Sequence, residues 1–222
     1  MAESFSKLGD SIYFKDDDGL YVNLFVPSEV IWHEKGLRIV QDTTLPESDR
    51  VTLTVRAKAP QRAQLRIRVP YWTTAGSASL NGKQLESFAT PSSYFVLDRT
   101  WRDGDRVELR LPMRLHAAPM PDDATVQAVM YGPIVLAGKL GAAGLTADNL
   151  RAEPTKPRTV PEYKSEPVAA PVIRASSSDP ASWLKASGPL EFRTVGQQSE
   201  LTLVPLNRIF DERYAVYWKL SV

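Results

Sequence analysis

Two histidines, five tryptophans and no cysteine set the limits of the chemistry open to this chain. A thiolate nucleophile or a cysteine-ligated zinc needs the one residue type that is missing. His33 follows Trp32 and His116 follows Leu115 far downstream, so no spacing gathers the three or four ligands of a zinc site. Each reads as a surface or turn histidine. The run Asp16-Asp17-Asp18-Gly19 superficially resembles a calcium loop, but it lacks the alternating ligands and the bidentate glutamate that such a loop requires. It reads as a hairpin turn. A glycosidase needs two carboxylates about 5 to 10 Å apart across a cleft. The 26 acidic residues offer many formal pairs, and none is singled out by spacing.

Aromatic side chains are the remaining route to recognition, because sugar rings lay their CH faces on Trp and Tyr. Pro70-Tyr71-Trp72 and Thr100-Trp101-Arg102 lie beside turns, where loops of a sandwich carry binding residues. Tyr71, Trp72 and Trp101 are therefore the candidate sugar contacts. The competing reading makes them plugs that close the end of a core, and it extends to Trp32, Trp183 and Trp218.

The elements that would carry these residues are strands. Val51, Leu53 and Val55 alternate with Thr52, Thr54 and Arg56. Leu65, Ile67 and Val69 alternate with Arg66 and Arg68, and Val107, Leu109 and Leu111 with Glu108 and Arg110. A period of two predicts half-buried antiparallel strands. Further strands are expected at Leu20 to Val26 (stopped by Pro27), Leu37 to Val40, Tyr94 to Leu97, Val126 to Met130 and Ile134 to Ala137. Others are expected at Leu190 to Thr194, Leu201 to Val204 and Arg213 to Leu220. Asn81-Gly82 between two short runs signals a type I′ hairpin, and Asp103-Gly104-Asp105 a second turn. From Gly141 to Pro189, prolines at 154, 157, 161, 167, 171, 180 and 189 oppose regular structure. One helical turn is expected around Ser182-Trp183-Leu184. The expected fold is an all-β, antiparallel, jelly-roll-like sandwich with very little helix. Residues 1–140 form its larger lobe, and residues 141–222 a Pro-rich connection and a smaller β lobe.

Lysine plus arginine number 27 against 26 acids over 222 residues, so no basic footprint points to nucleic acid. No stretch approaches the roughly 20 apolar residues of a membrane helix, and the first ten residues do not form a secretory signal. The compartment stays undetermined. The start Met1-Ala2-Glu3-Ser4 reads as a cut through a longer protein.

Gly9-Asp10-Ser11-Ile12-Tyr13-Phe14, the stretch from Gly19 to Glu29, and the stretch from Tyr131 to Gly138 resemble the β-L-arabinofuranosidase group of bacterial glycoside hydrolases, families 127 and 146. The ending Arg213-Tyr214-Ala215-Val216-Tyr217-Trp218 resembles the C-terminal signature of the second. The resemblance implies an (α/α)₆ barrel that carries the active site, with zinc held by a glutamate and cysteines, a cysteine nucleophile and a second glutamate as acid/base. It places a Cys-Cys pair and a Gly-Thr-Gly-x-Glu segment just before Glu3, which would match the closing glutamate and lie near the parent active site. Phe210-Asp211-Glu212 stands where relatives commonly have His-Asp-Gln.

The expected function is that of a non-catalytic β-sandwich portion of such a hydrolase, with no cofactor of its own. It would pack against the upstream catalytic barrel and shape one wall of the sugar cleft. An autonomous module binding plant-derived arabinose-containing glycans through Tyr71, Trp72 or Trp101 is the alternative. A homo-oligomer formed through the barrel-facing surface is a third.

Overall fold

Alternating apolar and polar residues become paired strands in a computed structural model that describes residue 7, residues 9–145 and residues 168–221. These fall into two units, Met1–Arg114 and Leu115–Val222. The first contains β1 (Tyr13–Lys15), β2 (Gly19–Val22), β3 (Ser28–Trp32), β4 (Leu37–Thr43), β5 (Arg50–Ala57), β6 (Gln61–Val69), β7 (Ser77–Leu80), β8 (Lys83–Gln84), β9 (Ser93–Trp101) and β10 (Arg106–Arg110). The second contains β11 (Leu115–Pro119), β12 (Val126–Tyr131), β13 (Ile134–Gly141), β14 (Ile173–Arg174), β15 (Leu184–Gly188), β16 (Glu191–Thr194), β17 (Thr202–Pro205), β18 (Arg213–Ala215) and β19 (Tyr217–Ser221). Helical structure among the described residues is confined to short 3₁₀ turns, so the all-β expectation holds.

In the first unit, β1-β2-β6-β9 form a four-stranded sheet and β3-β4-β5-β10-β7-β8 a six-stranded one. Their alternation explains why they face each other. Leu20 and Val22 on β2, Leu65, Ile67 and Val69 on β6, Val51, Leu53 and Val55 on β5, and Val107 and Leu109 on β10 share one buried cluster. Thr52, Thr54, Arg66, Arg68 and Glu108 point the other way, as the period of two demands. Leu80 pairs with Lys83 across a two-residue turn in which Asn81 has φ 51° and Gly82 has φ 81°, the left-handed pair of a type I′ hairpin. Gly104, at φ 83°, makes the other expected turn. That turn joins β9 of one sheet to β10 of the other.

Two pairings depart from the antiparallel expectation. β2 runs parallel to β6, with Leu20 beside Leu65 and Val22 beside Ile67, and β14 runs parallel to β19. The chain leaves the four-stranded sheet after β2, builds β3 to β5 in the other layer and returns, so the crossover sets the direction. The strand expected over Leu20 to Val26 ends at Val22. There the N–H groups of Asn23 and Leu24 both donate to the Ile12 carbonyl, at 2.9 and 3.3 Å. Gln41 then fastens the departing segment, its Nε2 donating to the carbonyls of Leu24 (3.1 Å) and Val26 (2.8 Å).

The lobe boundary expected at 140/141 falls instead at 114/115. β12 and β13, read from the sequence as closing the first lobe, pair with β11, β17, β18 and β19. The shift in composition at Gly141 marks a connection inside the second unit, because the strands on its far side complete the same sheet. Near their turn β12 and β13 pair with each other, and then they part. Ala128 pairs with Tyr217 on β19, and Gly138 pairs with Leu203 on β17 and Ala215 on β18. This exchange of partners wraps the strands around Val129, Leu136, Trp183, Phe192, Leu203 and Trp218. It also breaks the single strand expected over Arg213 to Leu220 into two.

Part of the Pro-rich connection, residues 146–167, lies outside the described residues. Beyond it, the expected helical turn appears slightly earlier, as a 3₁₀ turn at Pro180–Ser182. Asp179 caps it by accepting the Ala181 N–H at 3.0 Å, and proline suits the first position because its missing N–H would have no partner.

Candidate functional site

The outer face of the four-stranded sheet gathers an interlocked set of polar and aromatic side chains. Register places Phe14, Tyr21, Arg66 and Val96 in one row across β1, β2, β6 and β9, with Gln64 and Asp98 in the next. Gly19 makes the arrangement possible: a Cβ there would meet Arg66 Nε at 3.0 Å. The guanidinium therefore lies over the strand, its Cζ 4.8 Å from the centroid of the Tyr21 ring. Arg66 Nε and Nη2 donate to Gln64 Oε1 at 3.0 and 2.7 Å, and Nη1 bonds Asp16 Oδ2 and the Tyr21 hydroxyl.

Asp16 anchors the set. Its Oδ2 accepts from the Tyr21 hydroxyl at 2.9 Å, and its Oδ1 accepts the N–H groups of Gly19 (2.7 Å) and Asp18 (3.1 Å). These bonds, with that from Arg66, favour the ionised form and pull its carboxyl down to about 2. The acidic run is thus the hairpin turn read from the sequence: Asp16 N–H also donates to the Gly19 carbonyl at 3.0 Å, and Lys15 pairs with Leu20. Tyr94 extends the face, its ring edge-on to Tyr21 at 5.2 Å and its hydroxyl donating to Asn23 Oδ1 at 3.0 Å. Phe14 (51%), Val96 (48%) and Tyr94 (36%) leave apolar surface open to solvent. Rigid rings, aliphatic groups and satisfied polar atoms make a surface suited to binding. They do not supply a nucleophile with a base beside it.

The three aromatic candidates separate. Trp101 is fully buried, and its Nε1 donates to the Ala63 carbonyl at 2.9 Å; Trp72 is 6% exposed. A sugar cannot stack on a ring whose faces are covered, so both belong to the core. Tyr71 is 57% exposed. Trp32, Trp183 and Trp218 are core residues, as expected. His33 sits in the 3₁₀ turn at His33–Lys35. His116 differs from the turn reading: it lies in β11, and its Nε2 is 3.0 Å from the Gly132 carbonyl. Phe210 is 79% exposed, and Glu212 pairs with Lys139 at 2.9 Å. Glu3 lies outside the described residues.

The zinc centre implied by the resemblance does not fit the residues present. The chain has no thiolate to offer, and among the described residues no three His, Asp or Glu side chains cluster as ligands. Nor is any helix among them long and apolar enough to cross a membrane. Tyr21, Arg66 and Tyr94 escaped the sequence reading because an outward position on a strand carries the same polar signal whether it is merely wet or part of a network.

Residues 19–113 match the model of the β-L-arabinofuranosidase GH127 middle domain, and residues 116–220 match a domain of unknown function. These limits bracket the division between the two units. No curated protein matches the chain. Among solved structures, the GH127 β-L-arabinofuranosidase Ara127N from Geobacillus stearothermophilus T6 is similar at 19% identity and a TM-score of 0.69, over 99% of this chain and 36% of its own. A protein described as a glycoside hydrolase gives 20% identity and a TM-score of 0.63 over 95% of this chain and 37% of its own. A GH127 β-arabinofuranosidase gives 17% and 0.60, over 95% and 36%. At these identities the likeness is one of fold. The chain spans little more than a third of the length of the structures it resembles.

Proposed function

We propose that this chain, whose residues 19–113 match the GH127 β-L-arabinofuranosidase middle domain, is the non-catalytic β region of such a hydrolase. Its first unit would pack against the catalytic (α/α)₆ barrel and wall one side of the sugar cleft. The observation that carries this reading is the match to a middle domain in a chain that covers 36% of the chain of a GH127 β-L-arabinofuranosidase structure. The outer face of the four-stranded sheet supports it. Phe14, Tyr94 and Val96 leave apolar area on solvated strands, and the Asp16–Arg66–Tyr21 network holds that area rigid. The substrate of the whole enzyme would be a β-L-arabinofuranoside of plant origin, cleaved with zinc and cysteines that other residues supply.

The test is hydrolysis of an aryl β-L-arabinofuranoside by the purified chain, with and without added zinc and thiol. No turnover above buffer is expected, and turnover by the chain alone overturns the reading. The carbohydrate-binding alternative keeps one of its three aromatics, since only Tyr71 offers an exposed ring. A flat titration with arabinan removes it.

A further inference from the structure

The six-stranded sheet of the first unit ends in an open cavity of about 570 Å³ in which positive charge is concentrated. Its lining includes Arg38, Arg56, Lys58 and His33, against Asp103 as the single carboxylate. Arg38 on β4 is the register partner of Arg56 on β5, and both are exposed on the outer face. Like charges directly opposite each other across a ladder destabilise a sheet. Compensation is partial. Arg38 reaches Glu29 at 2.6 Å, but Arg56 stands 3.9 Å from Asp103, whose Oδ1 already accepts the Ala57 N–H at 3.1 Å. Lys58 has no ion pair among the described residues.

We propose that this cavity binds a carboxylated sugar, a uronic acid unit of a glycan, with Arg38 and Arg56 holding the carboxylate and Lys58 closing on it from the rim. Each guanidinium carries a fork of N–H donors that matches the two oxygens of a carboxylate. Bound there, the ligand adds negative charge beside Arg56, whose 3.9 Å approach to Asp103 is the weaker of the two ion pairs. Ile31, the neighbour of Arg38 on β3 and 53% exposed, offers an aliphatic surface to the CH face of the ring. The volume lies within the range of small-ligand sites and suits one or two sugar units.

A sugar is favoured over an acidic peptide because the two arginines stand on interior strands, β4 and β5, with only β3 at the sheet edge beside them. The backbone groups of β4 and β5 are spent on neighbouring strands, so a peptide lying over Arg38 and Arg56 would find side chains but no ladder to extend there. A sugar acid needs only side-chain donors. This inference rests on the carbohydrate-active reading above and adds a second ligand class to it, at a place separate from the Tyr21–Tyr94 face.

The test is titration of the whole chain with a galacturonic acid trimer at low ionic strength, beside a neutral arabinose trimer and polyglutamate. Saturable binding of the galacturonate is expected, weakened about tenfold or more in Arg38→Gln/Arg56→Gln and several-fold in Lys58→Gln. The neutral trimer should not bind. A thermal melt of each variant checks folding, and Lys58→Gln tests the site without touching the β4–β5 ladder. Failure of the native chain to bind galacturonate overturns the proposal, as does binding unchanged in the variants. Equal binding of the neutral sugar overturns the acid specificity, and tighter binding of polyglutamate makes the occupant an acidic peptide. Arabinofuranoside hydrolysis by the chain would overturn the accessory reading while leaving these titrations intact, so the two failures are distinguishable.

Discussion

Gly138 stands so close to Trp218 that a Cβ built on its backbone would lie 2.4 Å from both Cη2 and Cζ2 of the indole. The ring is fully buried in the second unit. Gly138 cannot yield, because its strand is held on two sides, by Leu203 and by Ala215. The stretch from Tyr131 to Gly138 is distinctive as sequence, and its closing glycine has a packing cause: any side chain would occupy the space of one of the two indoles in that core.

Gly138→Ala is therefore expected to lose about 1–3 kcal/mol from overpacking, read as a fall in the urea midpoint of the second unit. Trp218→Phe vacates the contested volume and also removes a buried indole N–H that has no partner. The double substitution should then be less destabilising than the sum of the two. Simple additivity would show that the glycine is not there for the ring.

The buried position of Trp101 makes a second expectation. Trp101→Ala should cost about 3–5 kcal/mol as a core truncation. Trp101→Phe should cost about 1–3 kcal/mol, since it keeps most of the ring but leaves the Ala63 carbonyl without its indole donor. Denaturant unfolding of the two variants checks the order. A Trp101→Ala protein as stable as the parent would return this residue to the list of surface contacts.

Asn81 does two jobs in its hairpin. It accepts φ 51°, and its side chain donates to Asp105 Oδ1 and accepts from the Arg106 N–H, each at 2.8 Å. Burial raises the Asp105 pKa, but the Asn81 bond, the Arg102 N–H and the nearby Arg99 outweigh it and hold the carboxyl below its usual value. Asn81→Gly keeps the turn and loses the bonds, whereas Asn81→Ala loses both. The expected order of stability is native, then glycine, then alanine, with about 1 kcal/mol between steps. In both variants the Asp105 pKa, followed by NMR, should rise.

Which parts of the fold were legible follows from how local their cause is. β5, β6 and β10 were read correctly because each carries its own alternation, and Asn81-Gly82 because the turn needs nothing beyond two residues with positive φ. The lobe boundary falls elsewhere than expected, and β2 runs parallel to β6 in a fold expected to be antiparallel, because both depend on which distant strands come together, and composition does not encode that. The same holds for function. Tyr71, Trp72 and Trp101 attracted attention as aromatics beside turns, yet burial separates them. Arg66 and Tyr21 looked like ordinary outward residues until the register set them over Gly19. Arg38 and Arg56 lie eighteen positions apart in the chain, and only the β4–β5 ladder makes them opposite.

Acid should dismantle the Tyr21–Arg66 face at a pH set by Asp16. Its carboxyl is held at about 2 by the Tyr21 hydroxyl first, then by the Gly19 N–H and Arg66, against about 3.9 in an unfolded chain. A depressed folded value means the network's contribution is complete above the unfolded pKa. It declines as pH falls from near 4 and is lost as pH passes through the folded value. Between neutrality and pH 5 nothing should change. Below pH 4 the near-ultraviolet signal of the edge-on Tyr21–Tyr94 pair should fade with a midpoint near 2, and in Asp16→Asn the step should be absent. The shift comes from direct hydrogen bonds, so added salt should move that midpoint little, because screening acts on charges separated by solvent. A midpoint at the ordinary carboxylate value, or a step that survives in Asp16→Asn, would mean that another group holds the tyrosines together.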